Sequence, residues 1–476
     1  MSSPRQGWTQ AAAVLVFAAA AYLLAQADGD PDVWGRITYA RDAAAQGLLF
    51  LRRDIYSYTA PAHAWVDHEW GFAWVAWAAY HWGGWTAVRL LRLGLWAAIG
   101  ALCLRPARHA PSAALPLAAL VLALPLSLGA VGPRAQAFTC LFLAWELGCL
   151  QASERRGARW IVFAALPFPL WVNLHAGFLV GGGVLALWGG ERAFRAVRGR
   201  DTSTLRALGA AALVGLCSLL ATPWGPGFAP FVLRTAFLDR PYVPEWQPVG
   251  LDVYGAWWLL LGALCIPLAR VKPRRWPELF ILAVLATQAA LHRRHLALFA
   301  VAAGVLALPA LLDAWNRWRG PPEVPPIPAR AGALGLGALA AAFACAALFR
   351  SAAPPPAEPF FPRTALDVLR SQHADNVLVE FNWAQYALFY GAPGMRVAID
   401  GRYEAVYPPE VLQQYFAWHF GEPGWQALAQ SPDTHYALVA RGSPRAARME
   451  ALPDWTTLYA DDVAVALAKR GRASDR

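Results

Sequence analysis

The chain has 476 residues, of which 57% are hydrophobic and only 15% charged, against about 25% charged residues in a soluble domain. The net charge of +10 is uneven: residues 1–350 hold 30 Lys+Arg against 17 Asp+Glu, and residues 351–476 hold 11 against 14. These figures exclude a cytosolic enzyme, a secreted disulfide scaffold and a nucleic-acid binder, and describe a multi-span membrane protein with a soluble tail. All six cysteines (103, 140, 149, 217, 265 and 345) fall in apolar runs, and no CxxC occurs. That pattern argues against a disulfide framework or a thiolate zinc site.

A crossing helix needs about 20 mostly apolar residues. Eleven segments are expected to span, in chain order 8–27, 86–104, 112–130, 135–150, 159–174, 176–190, 205–222, 255–269, 276–291, 296–312 and 331–349. The stretch 69–82 (EWGFAWVAWAAYHW) is apolar but short. Trp70, Trp74 and Trp77 share one helical face there, which suits a helix lying in the interface. With 69–82 lying flat, the loops on one side hold 17 Lys+Arg and those on the other hold 9. The basic side faces the cytoplasm by the positive-inside rule, so the tail is expected outside it, in the periplasm of a bacterial inner-membrane protein. Proline-rich connectors occupy 313–330 and 351–362.

The tail reads as a small α/β domain. NVLVEF, RVAI, HYALVA and VAVALA have strand character, and TALDVLRSQ and PEVLQQYFAWHF have helix character. The expected organisation is therefore a transmembrane domain over 1–350, with its first periplasmic loop at 28–85, and a periplasmic α/β domain over 351–476. The segment Asp400-Gly401-Arg402-Tyr403-Glu404 reads as an Asp-Gly turn with an Arg-Glu pair, ahead of a role in acceptor recognition.

Candidate chemistry concentrates on the outer side. Asp30 and Asp32 precede a helix with Val33, Ile37 and Ala40 on one face, where carboxylates either cap the helix or act at its positive end. Asp67-His68-Glu69, with His63 nearby, offers substrate-binding groups. Asp32, His68 and Glu69 are also the residues with metal-ligand chemistry, although adjacent side chains rarely converge on one ion. His292-Arg293-Arg294-His295 could hold a phosphate, since Arg presents a planar fork to its oxygens, or could snorkel to headgroups. Arg134, His175 and Glu245 add polar groups at other outer connections. Arg89 lies in the first turns of a span, where charge demands a partner or an anionic ligand.

The order of first span, acidic loop with D-P-x-x-x-x-R (Asp30 to Arg36), amphipathic helix, P-x-H-x-W-x-x-H-E-W (Pro61 to Trp70) and Arg-bearing span resembles the GT-C glycosyltransferases. These include protein O-mannosyltransferases, oligosaccharyltransferase catalytic subunits and lipid A aminoarabinose transferases. The resemblance implies a mainly α, GT-C-like membrane domain with interfacial helices in the first loop, and an inverting transfer of sugar from a polyprenyl-phosphate carrier to a periplasmic acceptor. It implies Asp30 as the catalytic base, with Asp32 the alternative and Glu69 in support. Arg36, His63, His68, Arg89, Arg134, His175, Glu245, His292, Arg293 and Arg294 would bind substrate. Pro61, His63, His68 and Glu69 replace the Lys-Pro-Pro stretch of the aminoarabinose enzymes, which leaves the acceptor open. FNWAQYALFY and IDGRYEAVYPPE look like the terminal domain of bacterial membrane proteins of this kind. The expected partners are the polyprenyl-linked sugar, membrane lipids and that acceptor, with no nucleic acid; a divalent metal stays open. A lipid or glycan transporter, to which Glu146 inside a span would be relevant, and a non-catalytic assembly factor are the rival readings.

Overall fold

A computed structural model of the chain describes residues 4–24, 30–105, 112–128, 134–236, 238–272, 275–319, 329–351, 361–391 and 393–471. The two proline-rich connectors lie largely outside these residues. The chain divides into two compact units, one of Met1–Ala27, Gly83–Pro230 and Asp239–Ala353, the other of Asp28–Trp82, Phe231–Leu238 and Pro354–Arg476.

The first unit is a helical bundle, and each of the eleven expected segments holds helix. By length and composition, five helices among the described residues are apolar and long enough to cross a membrane: Trp70–Leu104, Thr202–Leu220, Val253–Arg270, Arg293–Arg319 and Ala333–Ser351. Trp8–Leu23, Arg159–Leu174 and Trp276–Leu291 are shorter apolar helices. Arg159–Leu174 is interrupted between Arg159–Ala165 and Phe168–Leu174, at Pro167, which donates no backbone hydrogen bond. The helix Pro4–Leu24 packs along Ala329–Ser351 and Leu115–Leu128, with Tyr22 edge-on to Phe343 and Phe17 against Trp96. Arg293–Arg319 is mostly buried in the bundle and includes a π-helical turn, Ala303–Ala307. Thr202–Leu220, by contrast, exposes Leu213, Leu216 and Leu220.

Helix Trp70–Leu104 is two helices joined at Gly83 (φ −140°, ψ 15°) and Gly84 (φ 59°, ψ −157°). Gly84 occupies a region that only glycine enters cheaply. The break falls where the sequence separates 69–82 from 86–104, and the chain passes from one compact unit to the other there.

The second unit combines the first loop with the tail. Its sheet holds β1 (Asn376–Val379), β2 (Arg396–Val397), β3 (Tyr436–Ala440), β4 (Trp455–Ala460) and β5 (Ala464–Lys469), in the order β2-β1-β3-β5-β4. β1 pairs in parallel with β2 and β3, while β5 pairs antiparallel with β3 and β4. The expected helices are present as Arg363–Ser371 and Pro409–Phe420. Two elements differ from the sequence reading. The strand NVLVEF stops at Val379 and Phe381 opens a helix, Phe381–Tyr390; WTTLYA adds the edge strand β4. The opposite edge is covered by the first loop. Ser57 bridges in parallel to Val397, with Tyr58 N–H donating to Val397 O at 3.2 Å and Val397 N–H to Tyr56 O at 2.9 Å. An open row of backbone groups is thereby paired rather than left for another chain.

Candidate functional site

Asp30 stands at the entry to helix Asp32–Ala45 and is 4% exposed. Its Oδ1 accepts the Asp32 backbone N–H at 2.9 Å, so it satisfies one of the helix's free N-terminal donors. Asp32 lies in the first turn, which brings both carboxylates to the positive end of the helix dipole. The buried face of this helix carries Val33, Trp34, Ile37 and Tyr39. One turn beyond Asp32, Arg36 spreads its fork over two carboxylates, Asp67 at 3.0 Å and Glu69 at 2.5 Å. Burial opposes the Arg36 charge, but Glu69 and Asp67 outweigh it and raise its pKa further. Burial also pushes the Asp67 carboxyl above the usual range, more than the Arg36 guanidinium pulls it back. His68 Nε2 lies 3.8 Å from Glu69 Oε1, and its ring packs against Phe231 at 5.9 Å. The D-P-x-x-x-x-R and H-E-W stretches thus meet through Arg36.

The tail fixes the start of this helix. Gln385 donates to Pro31 O at 3.0 Å and Asp32 O at 3.1 Å, and accepts from Tyr39 Oη at 3.3 Å. Room for its amide is made by two glycines. A Cβ on Gly35 would fall 2.6 Å from Gln385 Cδ, and one on Gly401 would fall 2.6 Å from the Gln385 amide and 3.0 Å from Asp32 Oδ1. Trp34 is fully buried among Phe361, Tyr386, Phe389 and Tyr390. Further along the loop, Asp54 folds a turn on itself, accepting from Tyr56 N at 3.0 Å and Ser57 N at 3.1 Å, and from the Ser57 hydroxyl. Arg402 reaches that turn, 2.6 Å from Asp54, while chelating Asp400. The rings of Tyr39, Tyr56, Trp65 and Tyr407 surround its guanidinium.

A second cluster lies in the helical unit. Glu245, in the turn Pro244–Trp246, accepts Arg134 at 2.5 Å and pairs with Arg294 at 3.2 Å. Burial opposes ionisation of Glu245, but Arg294 and Arg134 outweigh it and hold its carboxyl below the ordinary range. Trp246 carries two guanidiniums, Arg240 at 4.1 Å and Arg294 at 4.6 Å from the ring centre. Gln136 donates to Arg294 O at 2.8 Å. His292 Nδ1 lies 2.8 Å from Trp246 O, which makes that nitrogen the protonated one. Arg293 turns to Asp252 at 3.1 Å, Pro248 O at 3.0 Å and the Tyr254 ring. His175 Nδ1 accepts Gly177 N–H at 3.0 Å and sits 2.7 Å from Thr139 Oγ1, which itself accepts from Trp171. The neutral ring therefore carries its proton on Nε2.

The structure thus gathers Arg134, Glu245 and Arg294 into one cluster and Arg36, His68 and Glu69 into another. Arg89 is 2% exposed and donates to Ser351 O at 3.3 Å, at the negative end of helix Ala329–Ser351. His63 is exposed in the turn after Ala60, where its carbonyl accepts Asp54 N–H at 2.9 Å. Among the described residues no group of three or more His, Cys, Asp or Glu side chains could hold a metal ion, so Asp32, His68 and Glu69 do not form one. Trp246 and Arg240 were not among the residues that sequence pattern selected, and Asp67 entered only as a neighbour of His68 and Glu69.

No protein-family model matches the chain, and no curated protein matches its sequence. Solved structures do. The oligosaccharyltransferase of Archaeoglobus fulgidus in its apo form matches with a TM-score of 0.54 at 12% identity, over 91% of this chain and 69% of that one. The arabinofuranosyltransferase AftD from Mycobacteria matches with a TM-score of 0.52 at 18% identity, over 96% of this chain. The chain spans only 40% of AftD's length. Over most of its length, the chain is similar in fold to these two glycosyltransferases.

Proposed function

We infer that the protein is a multi-pass membrane glycosyltransferase that moves a sugar from a polyprenyl-phosphate carrier to an acceptor hydroxyl on the periplasmic side of a bacterial inner membrane. The observation that carries this is Asp30, a buried carboxylate at a helix N-terminus in a chain of GT-C fold. In the reading, the acceptor oxygen attacks the anomeric carbon and inverts it. Its proton passes to Asp30, and the bond from that carbon to the carrier's phosphate oxygen breaks, so the phosphate leaves with the lipid. Arg36, held by Asp67 and Glu69, fixes the loop that presents Asp30. Within the helical unit, Arg134, Arg294 and Arg293 form a cationic cluster with phosphate-binding chemistry, with Glu245 as its resident counter-charge. Eleven crossings, with helix 70–82 in the interface and the tail outside, complete this topology.

The test is native mass spectrometry of the purified protein and of Asp30→Asn. A polyprenyl phosphate or its sugar adduct bound to both, with sugar transfer abolished in Asp30→Asn, is the expected result. Full transfer activity in Asp30→Asn overturns the role of that carboxylate, and only bulk phospholipid in both proteins overturns the donor.

A further inference from the structure

Helix Asp32–Ala45 has a second face that the transfer chemistry does not use. Arg36 points to the acidic pair, while Ile37 and Arg41, one and five residues on, border a pocket of about 310 Å³ with Trp77, Tyr80, His81 and Phe389. All six residues belong to the unit formed by the first loop and the tail. The rings are fixed rather than loose. Trp77 and His81, at i and i+4, stack at 5.1 Å with 27° between their planes, and Trp74 meets Trp77 edge-on at 5.0 Å. Tyr80 stands edge-on to Phe389 at 5.4 Å, and the Arg41 guanidinium lies 5.6 Å from the Phe389 ring centre.

The chemistry of this wall selects its occupant. Flat aromatic faces match the C–H faces of a sugar ring, and the edges of the pocket carry donors in Arg41, His81 and Tyr80. Charge separates a neutral ligand from an anion. Arg41 Nε donates to Asp42 Oδ1 at 2.7 Å, and Asp42 also accepts from Tyr56 Oη at 3.1 Å. The guanidinium is thus already balanced by a fixed carboxylate, which disfavours a phosphate, and, beyond an Nη1 contact to Phe389 O at 3.5 Å, it has N–H groups to offer hydroxyl oxygens. The volume sits at the lower end of the roughly 300–1,000 Å³ of ligand pockets, room for one or two pyranose rings but not for an acyl chain or a folded peptide. We propose that this pocket is a saccharide subsite, and that the acceptor of the reaction is a glycan whose terminal ring enters it. Only the word acceptor rests on the transferase reading; the binding of a sugar stands or falls separately.

The experiment is saturation-transfer difference NMR on the full chain in lipid nanodiscs, avoiding sugar-based detergents, with maltose, cellobiose and mannobiose as probes and no donor present. Saturation of ring protons of at least one disaccharide is expected. That signal should be lost in Trp77→Ala and in Arg41→Gln and partly kept in Trp77→Phe, with unchanged hydrogen exchange in the sheet as the check on folding. No saturation by the wild type, or an equal signal in Trp77→Ala, overturns the subsite. Displacement of the disaccharide by a sugar-free polyprenyl phosphate also overturns it and hands the pocket to lipid. Inactivity or activity of Asp30→Asn bears on the transferase reading and leaves this binding result untouched.

Discussion

Arg402 and Asp54 meet at 2.6 Å with both side chains sealed from solvent, joining the tail to the first loop within one unit. The pair does not stand alone. Asp400 chelates the same guanidinium, Tyr407 Oη lies 3.1 Å from it, and four aromatic rings close around it. Burial opposes the charge, but Asp400 leads the groups that outweigh it, and its pKa is raised well above the ordinary value.

Removing the guanidinium leaves two buried carboxylates without their cation, a change that costs about 3–5 kcal/mol. Arg402→Met is therefore expected to unfold the first loop from the sheet edge, and Arg402→Lys to rescue little, because one ammonium cannot serve both carboxylates bidentately. Hydrogen exchange at Tyr58 and Val397 N–H measures it; protection equal to wild type in Arg402→Met would show the cluster to be dispensable.

What the sequence made legible follows from local signals. Apolar runs located the helices, and the break at Gly83 and Gly84 falls in the gap left between 69–82 and 86–104. β4 was missed because it is an edge strand in which only Trp455 is buried, and WTTLYA has polar threonines where a core strand would be apolar. The partners of the arginines were not legible. Arg402 read as half of a local Arg-Glu turn, yet it pairs with Asp400 and with Asp54 far away in the chain. His292–His295 read as either a phosphate cradle or a run snorkelling to headgroups, yet Glu245 and Asp252 already pair with Arg294 and Arg293. Spacing along a chain records neighbours on one element; pairings between distant loops leave no periodicity to read.

The amide of Gln385 is gripped between Gly35 and Gly401. Gly35→Ala places a methyl inside van der Waals contact of that side chain, and overpacking of this kind costs about 1–3 kcal/mol. The variant should move the Asp32–Ala45 helix away from Gln385 and lower transfer with little loss of bundle stability. Gly35→Ala/Gln385→Ala, which removes the obstructing amide, should recover part of the packing but not the bonds to Pro31 and Asp32. Thermal unfolding of the two variants, read together, checks this; equal stability of Gly35→Ala and wild type would refute the tight contact.

Glu245 stays ionised at neutral pH, since Arg294 and Arg134 overcome its burial, so any phosphate reaching these arginines competes with a resident carboxylate. A charge-assisted hydrogen bond is worth about 1.5–3 kcal/mol, so Arg294→Ala should raise the donor KM by one to two orders of magnitude and change kcat less. Arg293→Ala should act more weakly, because Asp252 and Pro248 O already engage that side chain. Steady-state kinetics on the purified lipid donor decide between them, and a larger effect for Arg293 would reverse the assignment.

His419 gives the tail an acid-sensitive point. Burial, with Arg445 beside it, lowers its pKa from 6.5 to about 4, so the folded tail holds the ring neutral. Its Nδ1 is buried without a hydrogen-bond partner, which leaves a proton there uncompensated. The unfolded chain takes up that proton first as pH falls, so His419 subtracts stability progressively from about 6.5 down to about 4, and below that both states are protonated and the loss levels off. Exchange protection of β3 and β5 amides in the full chain should fall across that window in the wild type and fall less in His419→Gln, which cannot titrate. An identical slope in the two proteins would place the acid sensitivity elsewhere.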